Sequence, residues 1–278
     1  MFESTIYLET KTFDLDWNRH VTSRTYERFS LEGRYDVLQK LGYPIEKCIE
    51  EGILLVPEFC EVRFLNQQYS GKKIKVITKL ILIDKTRIFW EHKLFGEDEK
   101  IACDLHLITG IENNKSEKLE LFNNFPIEER VFKEHIKFFA NSCERLENDF
   151  KILFSDMNVF WAYSPESYWK IFEEGRWLFF NSVVDLQYFS TLDTTSFFMG
   201  GQIKIFKQFT PGISLKLFSW IEKIEKIRFY FRQDIIDNEG NIYASMRDEQ
   251  LFVSVSASRP KKAIPEFLEV TKKYTEYA

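Results

Sequence analysis

The chain has 278 residues, enough for one large domain or two ordinary ones. With 44% hydrophobic and 29% charged residues it has the composition of a folded protein rather than a disordered one. The net charge of −5, with no basic block beyond Lys72-Lys73 and Lys261-Lys262, argues against nucleic acid as a partner.

Aromatic residues make up 17%, including 28 Phe, which implies a large interior or an apolar cavity. No basic-then-apolar segment opens the chain, so no secretory signal is expected. The apolar run near Trp177-Leu178-Phe179-Phe180 is cut by Asn181, far short of a membrane span. Cys48, Cys60, Cys103 and Cys143 form no C-x-x-C pair, which argues against zinc and against a disulfide framework; no metal and no cofactor is expected. Cytoplasm is the default compartment.

In chain order, residues 5–13 alternate loosely and predict a strand. A polar loop, Asp14-Leu15-Asp16-Trp17-Asn18-Arg19-His20, leads into a helix from Thr22 or Ser23 to Leu41, closed by Gly42. Tyr26, Phe29, Gly33, Val37 and Leu41 share one side of it. Strand runs follow, one ending at Ser70-Gly71, then 73–83, 87–95 and 101–111. A polar stretch over 112–124 predicts a boundary, and residues 129–142 predict a linking helix.

The same order then begins again. Residues 150–154 are strand-like, and Ser164-Pro165 start a helix that runs to about Asn181. Strand runs follow near 202–208, 213–221, 228–235 and 242–255. Tyr26, Glu32, Gly33 and Arg34 recur as Tyr168, Glu174, Gly175 and Arg176, while Gly71 and Arg87 recur as Gly212 and Arg228. A glycine inside a helix costs about 1 kcal/mol relative to Ala, so its recurrence asks for close approach of helix to sheet. The chain reads as an internal duplication of strand, loop, long helix and antiparallel strands. That plan resembles the hotdog fold, and two copies resemble a double hotdog. The expected fold class is therefore α+β, with domains at 1–125 and 146–278 and a linker, helical in expectation, at 126–145.

Asp16-x-Asn18-x-His20-Val21 with Tyr26 beyond it resembles the D-x-N-x-H-V-N-N-x-x-Y motif of hotdog acyl-thioesterases, acyl-ACP and acyl-CoA enzymes among them. The resemblance implies hydrolysis of acyl-CoA or acyl-ACP at a site between the two repeats. Asp16 would activate water or act as nucleophile. Asn18 would orient the water or carbonyl, and His20 would position either. Backbone N–H groups near Thr22 to Arg24 would form the oxyanion site. Thr22, Ser23, Tyr26 and Phe160 are the candidates for substrate contact, and a homodimer of double hotdogs is compatible with the pattern. The His four residues after the Asp, with no Pro after Asn18, fits thioester hydrolysis better than the D-x-N-P-x-H pattern of hydratases.

Two departures support an alternative, a non-catalytic hotdog binding acyl thioesters or a protein. Thr22-Ser23 stand for the family's Asn-Asn, and Leu65-Asn66 stand where plant-type enzymes carry Glu-Cys. The plain reading of Asp16 and Asn18 is that they bond their own loop backbone; that of His20 is a satisfied, half-buried histidine. Glu32 and Glu174 either reach a site from the helix, pair with Arg34 or Arg176, or face solvent. In the second repeat the motif is lost: Asn158, Phe160 and Ala162 stand for Asp16, Asn18 and His20, and only Asp156 keeps the place of Asp14. One site is expected to work and the other to be blank, with Phe160, Trp161, Phe179 and Phe180 lining or filling a tunnel.

Overall fold

The computed structural model describes residues 2–16 and 19–277. Two compact units form, one of residues 1–133 with 157–169, the other of 134–156 with 170–278.

In the first unit strand β1 (Phe2–Glu9) leads through the Asp16 loop to helix α1 (Ser23–Lys40) and a short helix α2 (Ile45–Glu51). Strands β2 (Leu54–Phe64), β3 (Lys73–Asp84), β4 (Arg87–Phe95) and β5 (Ile101–Glu112) follow. They pair antiparallel in the order β1-β3-β4-β5-β2. Along β3 the burial alternates as a pleated strand requires: Ile74, Val76, Thr78 and Leu80 are buried while Lys75, Ile77 and Lys79 are partly open. Helix α1 lies on β1, β3, β4 and β5 and buries Tyr26, Phe29, Val37 and Leu38.

The second unit repeats the plan. It holds β6 (Leu146–Lys151), the larger part of helix α3 (Pro165–Phe179), α4 (Leu186–Thr191), β7 (Thr195–Ile205), β8 (Ser214–Ile224), β9 (Arg228–Ile236) and β10 (Ile242–Val253). Their order is β6-β8-β9-β10-β7, the order of the first unit element for element. Helix α5 (Pro265–Thr271) and β11 (Thr275–Tyr277), which pairs parallel with β8, have no counterpart in the first unit.

The duplicated helix glycines have the expected cause. A Cβ on Gly33 would overlap Thr78 Oγ1, and one on Gly175 would overlap Gln233 and Leu217. Both helices lie too close to their sheets for any side chain there.

Two expectations need correction. Residues 126–145 are not helical; they run extended. Several of their backbone groups bond outside the segment: Glu128 N donates to Leu82 O, His135 N to Gln202 Oε1 at 2.8 Å, Ala140 N to Glu276 Oε1, and Arg232 Nη2 donates to Lys137 O. These outside partners hold the segment along the sheet in place of helical hydrogen bonds at those positions. Residues 157–169, expected in the second domain, belong to the first unit.

The aromatic surplus also has a plain use. Phe179, Phe180, Phe189, Phe229, Phe231, Phe252 and Phe267 form one packed cluster in the second unit. Phe179 and Phe180 occupy the places of Val37 and Leu38 in the first unit and fill this core. Helix α3 widens after Phe179 into a π-helical turn over Phe180–Val184. Trp161, by contrast, is 74% exposed.

Candidate active site

Asp14 anchors the loop that carries the motif. It is buried, its carboxylate is paired with Arg28, and it accepts from Lys11 N at 2.7 Å. Leu15 and Val21 then bridge antiparallel, which brings Asp16 and His20 together just beyond the bridge. Asp16 N donates to His20 O at 2.8 Å, and Arg19 N donates to Asp16 O at 3.0 Å with Arg19 at φ 67°. The half-buried Asp16 carboxylate accepts the backbone N–H of His20 at 3.0 Å through Oδ1. The His20 ring meets Tyr69 edge-on at 5.6 Å. Asn18 lies outside the described residues. Thr22 caps α1, its hydroxyl accepting from Thr25 N, and Ser23 is the first helical residue. The positive end of the helix dipole therefore lies beside the motif.

The second repeat builds the same turn without the chemistry. Met157 and Tyr163 bridge as Leu15 and Val21 do. Asn158 N donates to Ala162 O at 2.9 Å, Trp161 N donates to Asn158 O at 3.1 Å, and Trp161 sits at φ 57° in the place of Arg19. Asn158 Oδ1 accepts from Ala162 N at 3.2 Å, as Asp16 Oδ1 accepts from His20 N. Asp156 pairs with Lys170 at 2.7 Å, repeating Asp14 and Arg28. An amide thus closes this turn as well as a carboxylate does.

Of the remaining candidates, Tyr26 of α1 is part of the core rather than open to substrate. It is 3% exposed, packs on Phe64 at 5.4 Å, and burial pushes its phenol far above the ordinary range. Phe160 stacks on Tyr35 at 5.7 Å within the first unit. Leu65 and Asn66 follow the end of β2, with Asn66 Nδ2 donating to Ile101 O. Cys60 and Cys103 are buried thiols, pushed up by desolvation and unsuited to nucleophilic attack. Among the described residues no group of three His, Cys, Asp or Glu could hold a metal.

Glu32 and Glu174 are exposed; the helix carboxylate inside the protein is Glu27. Glu27 Oε1 is ion-paired with Arg34, both fully enclosed, while Glu27 Oε2 has no hydrogen-bond partner. Burial raises the Glu27 pKa against the opposing pull of Arg34. Arg34 Nη1 also meets His92 Nε2 at 3.2 Å, and His92 Nδ1 meets Thr78 Oγ1 at 3.0 Å. Arginine has no acceptor, so Nε2 must accept and Nδ1 carries the proton it gives to Thr78. Burial, with Arg34 beside it, holds the His92 pKa well below its usual value. In the second unit Arg176 pairs at 2.5 Å with Asp248 of β10, where the first unit has Leu107. Each long helix therefore carries one arginine paired with an enclosed carboxylate, buried Arg34 neutralised from its own helix and half-buried Arg176 neutralised from the sheet. The spacing of Glu27 and Arg34, seven residues on one helix side, was the available signal.

Residues 11–125 match the family model of the thioesterase-like superfamily. No curated protein matches the chain by sequence. By structure, it is similar to a Lactobacillus plantarum protein provisionally assigned as an oleoyl thioesterase. That TM-score is 0.71 at 9% identity, over 90% of this chain and 96% of that one. It is similar also to an acyl-ACP thioesterase from Bacteroides thetaiotaomicron, with TM-score 0.67 at 12% identity, over 90% and 97% of the two chains. The 12:0-ACP thioesterase from Umbellularia californica gives 0.69 at 10% identity, over 93% and 94%. Identities this low establish the fold alone. The chain therefore has the double-hotdog fold, and its first repeat is similar to the thioesterase-like superfamily over residues 11–125.

Proposed function

We propose that the protein hydrolyses acyl thioesters, carried on CoA or on acyl carrier protein, using the single Asp16-x-Asn18-x-His20 loop. One observation supports this reading most. The same turn is built twice, and Asn158 closes the second copy with the same backbone bond that Asp16 makes in the first. The fold therefore does not require a carboxylate at position 16, and chemistry is the remaining reason for one.

In this mechanism Asp16 Oδ1 is held by the His20 N–H, which leaves the other carboxylate oxygen to take a proton from water as it attacks the thioester carbonyl. The water's oxygen bonds to the carbonyl carbon, and the carbon–sulfur bond then breaks as Asp16 returns the proton to the departing sulfur, releasing the thiol and a carboxylic acid. His20 and Asn18 position the water and the carbonyl. The oxyanion forms near the start of α1, where the helix dipole favours negative charge. Thr22 and Ser23 place that helix start. Phe160 offers an aromatic wall to the apolar part of the substrate. No described helix is long and apolar enough to cross a membrane, consistent with an enzyme acting in the cytoplasm on carrier-bound acyl groups.

The test is a hydrolysis screen across straight-chain and aromatic acyl-CoAs and acyl-ACPs, read by thiol release. Turnover of at least one class is expected. Saturable binding of a non-hydrolysable thioester without turnover of any substrate would favour the alternative, a hotdog that only binds.

A further inference from the structure

One aromatic ring reaches the motif from another part of the chain. Tyr69 lies in the loop between β2 and β3 and is 50% exposed. Its ring meets the His20 imidazole edge-on, centroids 5.6 Å apart and planes at 69°, the favourable arrangement for two aromatic groups.

This loop is tied to the motif on both flanks. Before the motif, fully buried Thr10 donates through Oγ1 to Tyr69 O at 2.6 Å, Thr10 N donates to Lys72 O at 2.9 Å, and Gly71 N donates to Thr10 O at 2.9 Å. After it, Val21 N donates to Gln68 O at 3.0 Å. The Gln68 side chain is buried against Gly96, where a Cβ would overlap its amide. A bonded frame therefore delivers the Tyr69 ring to His20.

The second repeat keeps the frame and drops the pair. Gly212 N donates to Ile152 O at 2.9 Å and Ile152 N donates to Ile213 O at 3.1 Å, repeating the bonds that Gly71 and Lys72 make with Thr10. In that register Tyr69 falls on Thr210 and His20 on Ala162. The loop folds without an aromatic residue at this place, and the tyrosine occurs in the repeat that has the imidazole.

We propose that Tyr69 is a positioning residue of the Asp16 site, acting through His20. A half-buried imidazole has several staggered orientations open to it, and packing against the Tyr69 ring selects one. His20 is thereby held ready beside Asp16 before substrate arrives. That this readiness serves hydrolysis rests on the function proposed above.

The experiment compares Tyr69→Leu with Tyr69→Phe in the full-length protein. Leucine removes the ring; phenylalanine keeps it and loses only the hydroxyl. NMR of isotope-labelled histidine gives the first readout, with the His20 signals assigned by their loss in His20→Ala. They should shift in Tyr69→Leu and stay near their wild-type positions in Tyr69→Phe. Steady-state kinetics gives the second. Tyr69→Leu should lower kcat by about tenfold to a hundredfold with KM within about twofold, and Tyr69→Phe should recover most of that loss. Added to His20→Ala, Tyr69→Leu should cost less than about twofold more, because the ring has nothing left to hold. Unmoved His20 signals in Tyr69→Leu would overturn the proposal. So would a loss confined to KM, or an equal loss with and without His20. Robust turnover that Tyr69→Leu does not reduce would sink the proposal and leave the proposed function standing. Shifted His20 signals in a protein that hydrolyses no thioester would sink that function and leave Tyr69 as the residue that holds His20.

Discussion

Removing the Glu27 carboxylate tests the energetics of the first unit most sharply. In Glu27→Leu, Arg34 remains 1% exposed and charged, with only the neutral His92 Nε2 left as its partner. Taking one member from an enclosed ion pair costs about 3–5 kcal/mol, because the other charge stays buried without compensation. For a chain of this size each kcal/mol moves the melting temperature by about 2–4 °C, so a fall of roughly 10 °C is expected by circular dichroism at pH 7. The second unit indicates the rescue. There Trp169 occupies the place of Glu27, and Asp248 on the strand neutralises Arg176. Leu107 stands where Asp248 would be and lines the same cleft as Arg34. Glu27→Leu with Leu107→Asp should therefore regain at least half of the loss. An unchanged melting temperature in Glu27→Leu, or a double variant no better than the single one, would refute the idea that each helix arginine needs one carboxylate from either side.

Three further outcomes follow from the same network. His92 is held neutral, its folded pKa depressed, so its contribution to stability is present above the unfolded value of about 6.5 and is lost as pH falls toward the folded one. His92→Gln, which copies Gln233 of the second unit, should remove that part of the acid destabilisation; urea melts between pH 5 and 8 measure it. Glu27 has the opposite sign: its raised folded pKa gives a contribution that is full below about pH 4.3 and is lost as pH rises through the folded value. Carboxyl NMR titration should accordingly place Glu27 above an ordinary glutamate, and a normal or lowered value would contradict its burial. Gly33→Ala should destabilise by about 1–2 kcal/mol despite the gain in helix propensity, since the new Cβ meets a Thr78 hydroxyl already bonded to His92. Thr78→Ala in the same chain should return part of that loss.

Much of this architecture was legible in the residues because it is written twice. The Thr22 cap and Gly42 stop mark α1, Ser164-Pro165 marks the start of α3, the recurring glycines mark both helices, and the strand runs over 73–83, 87–95 and 101–111 fall within β3, β4 and β5. The extended course of residues 126–145 was not legible. Its backbone partners, Gln202, Arg232 and Glu276, lie between 67 and 136 residues further along the chain. Glu27 was missed for a related reason. A helix enclosed on two sides buries a polar stripe beside its apolar one, and the Glu27–Arg34 pair makes that stripe read as solvent-facing. Phe179 and Phe180 read equally well as tunnel lining or core; the enlargement from Val37 and Leu38 at the same places is what assigns them to core. The Asp16 turn was legible both as a motif and as a loop closed on its own backbone; that Asn158 makes the same closing bond in the second repeat was not.

The central claim is that Asp16 is present for chemistry, and Asp16→Asn tests it with the least disturbance, because Asn158 already holds this turn in the second repeat. Hydrolysis of the best substrate from the screen should fall by about a hundredfold or more. The melting temperature should stay within the small range of a neutral surface substitution, about 0.5 kcal/mol or less. A non-hydrolysable thioester analogue should bind as before. Robust wild-type turnover that survives Asp16→Asn within a few-fold would contradict the account, and the carboxylate doing the work would have to be sought elsewhere in the chain.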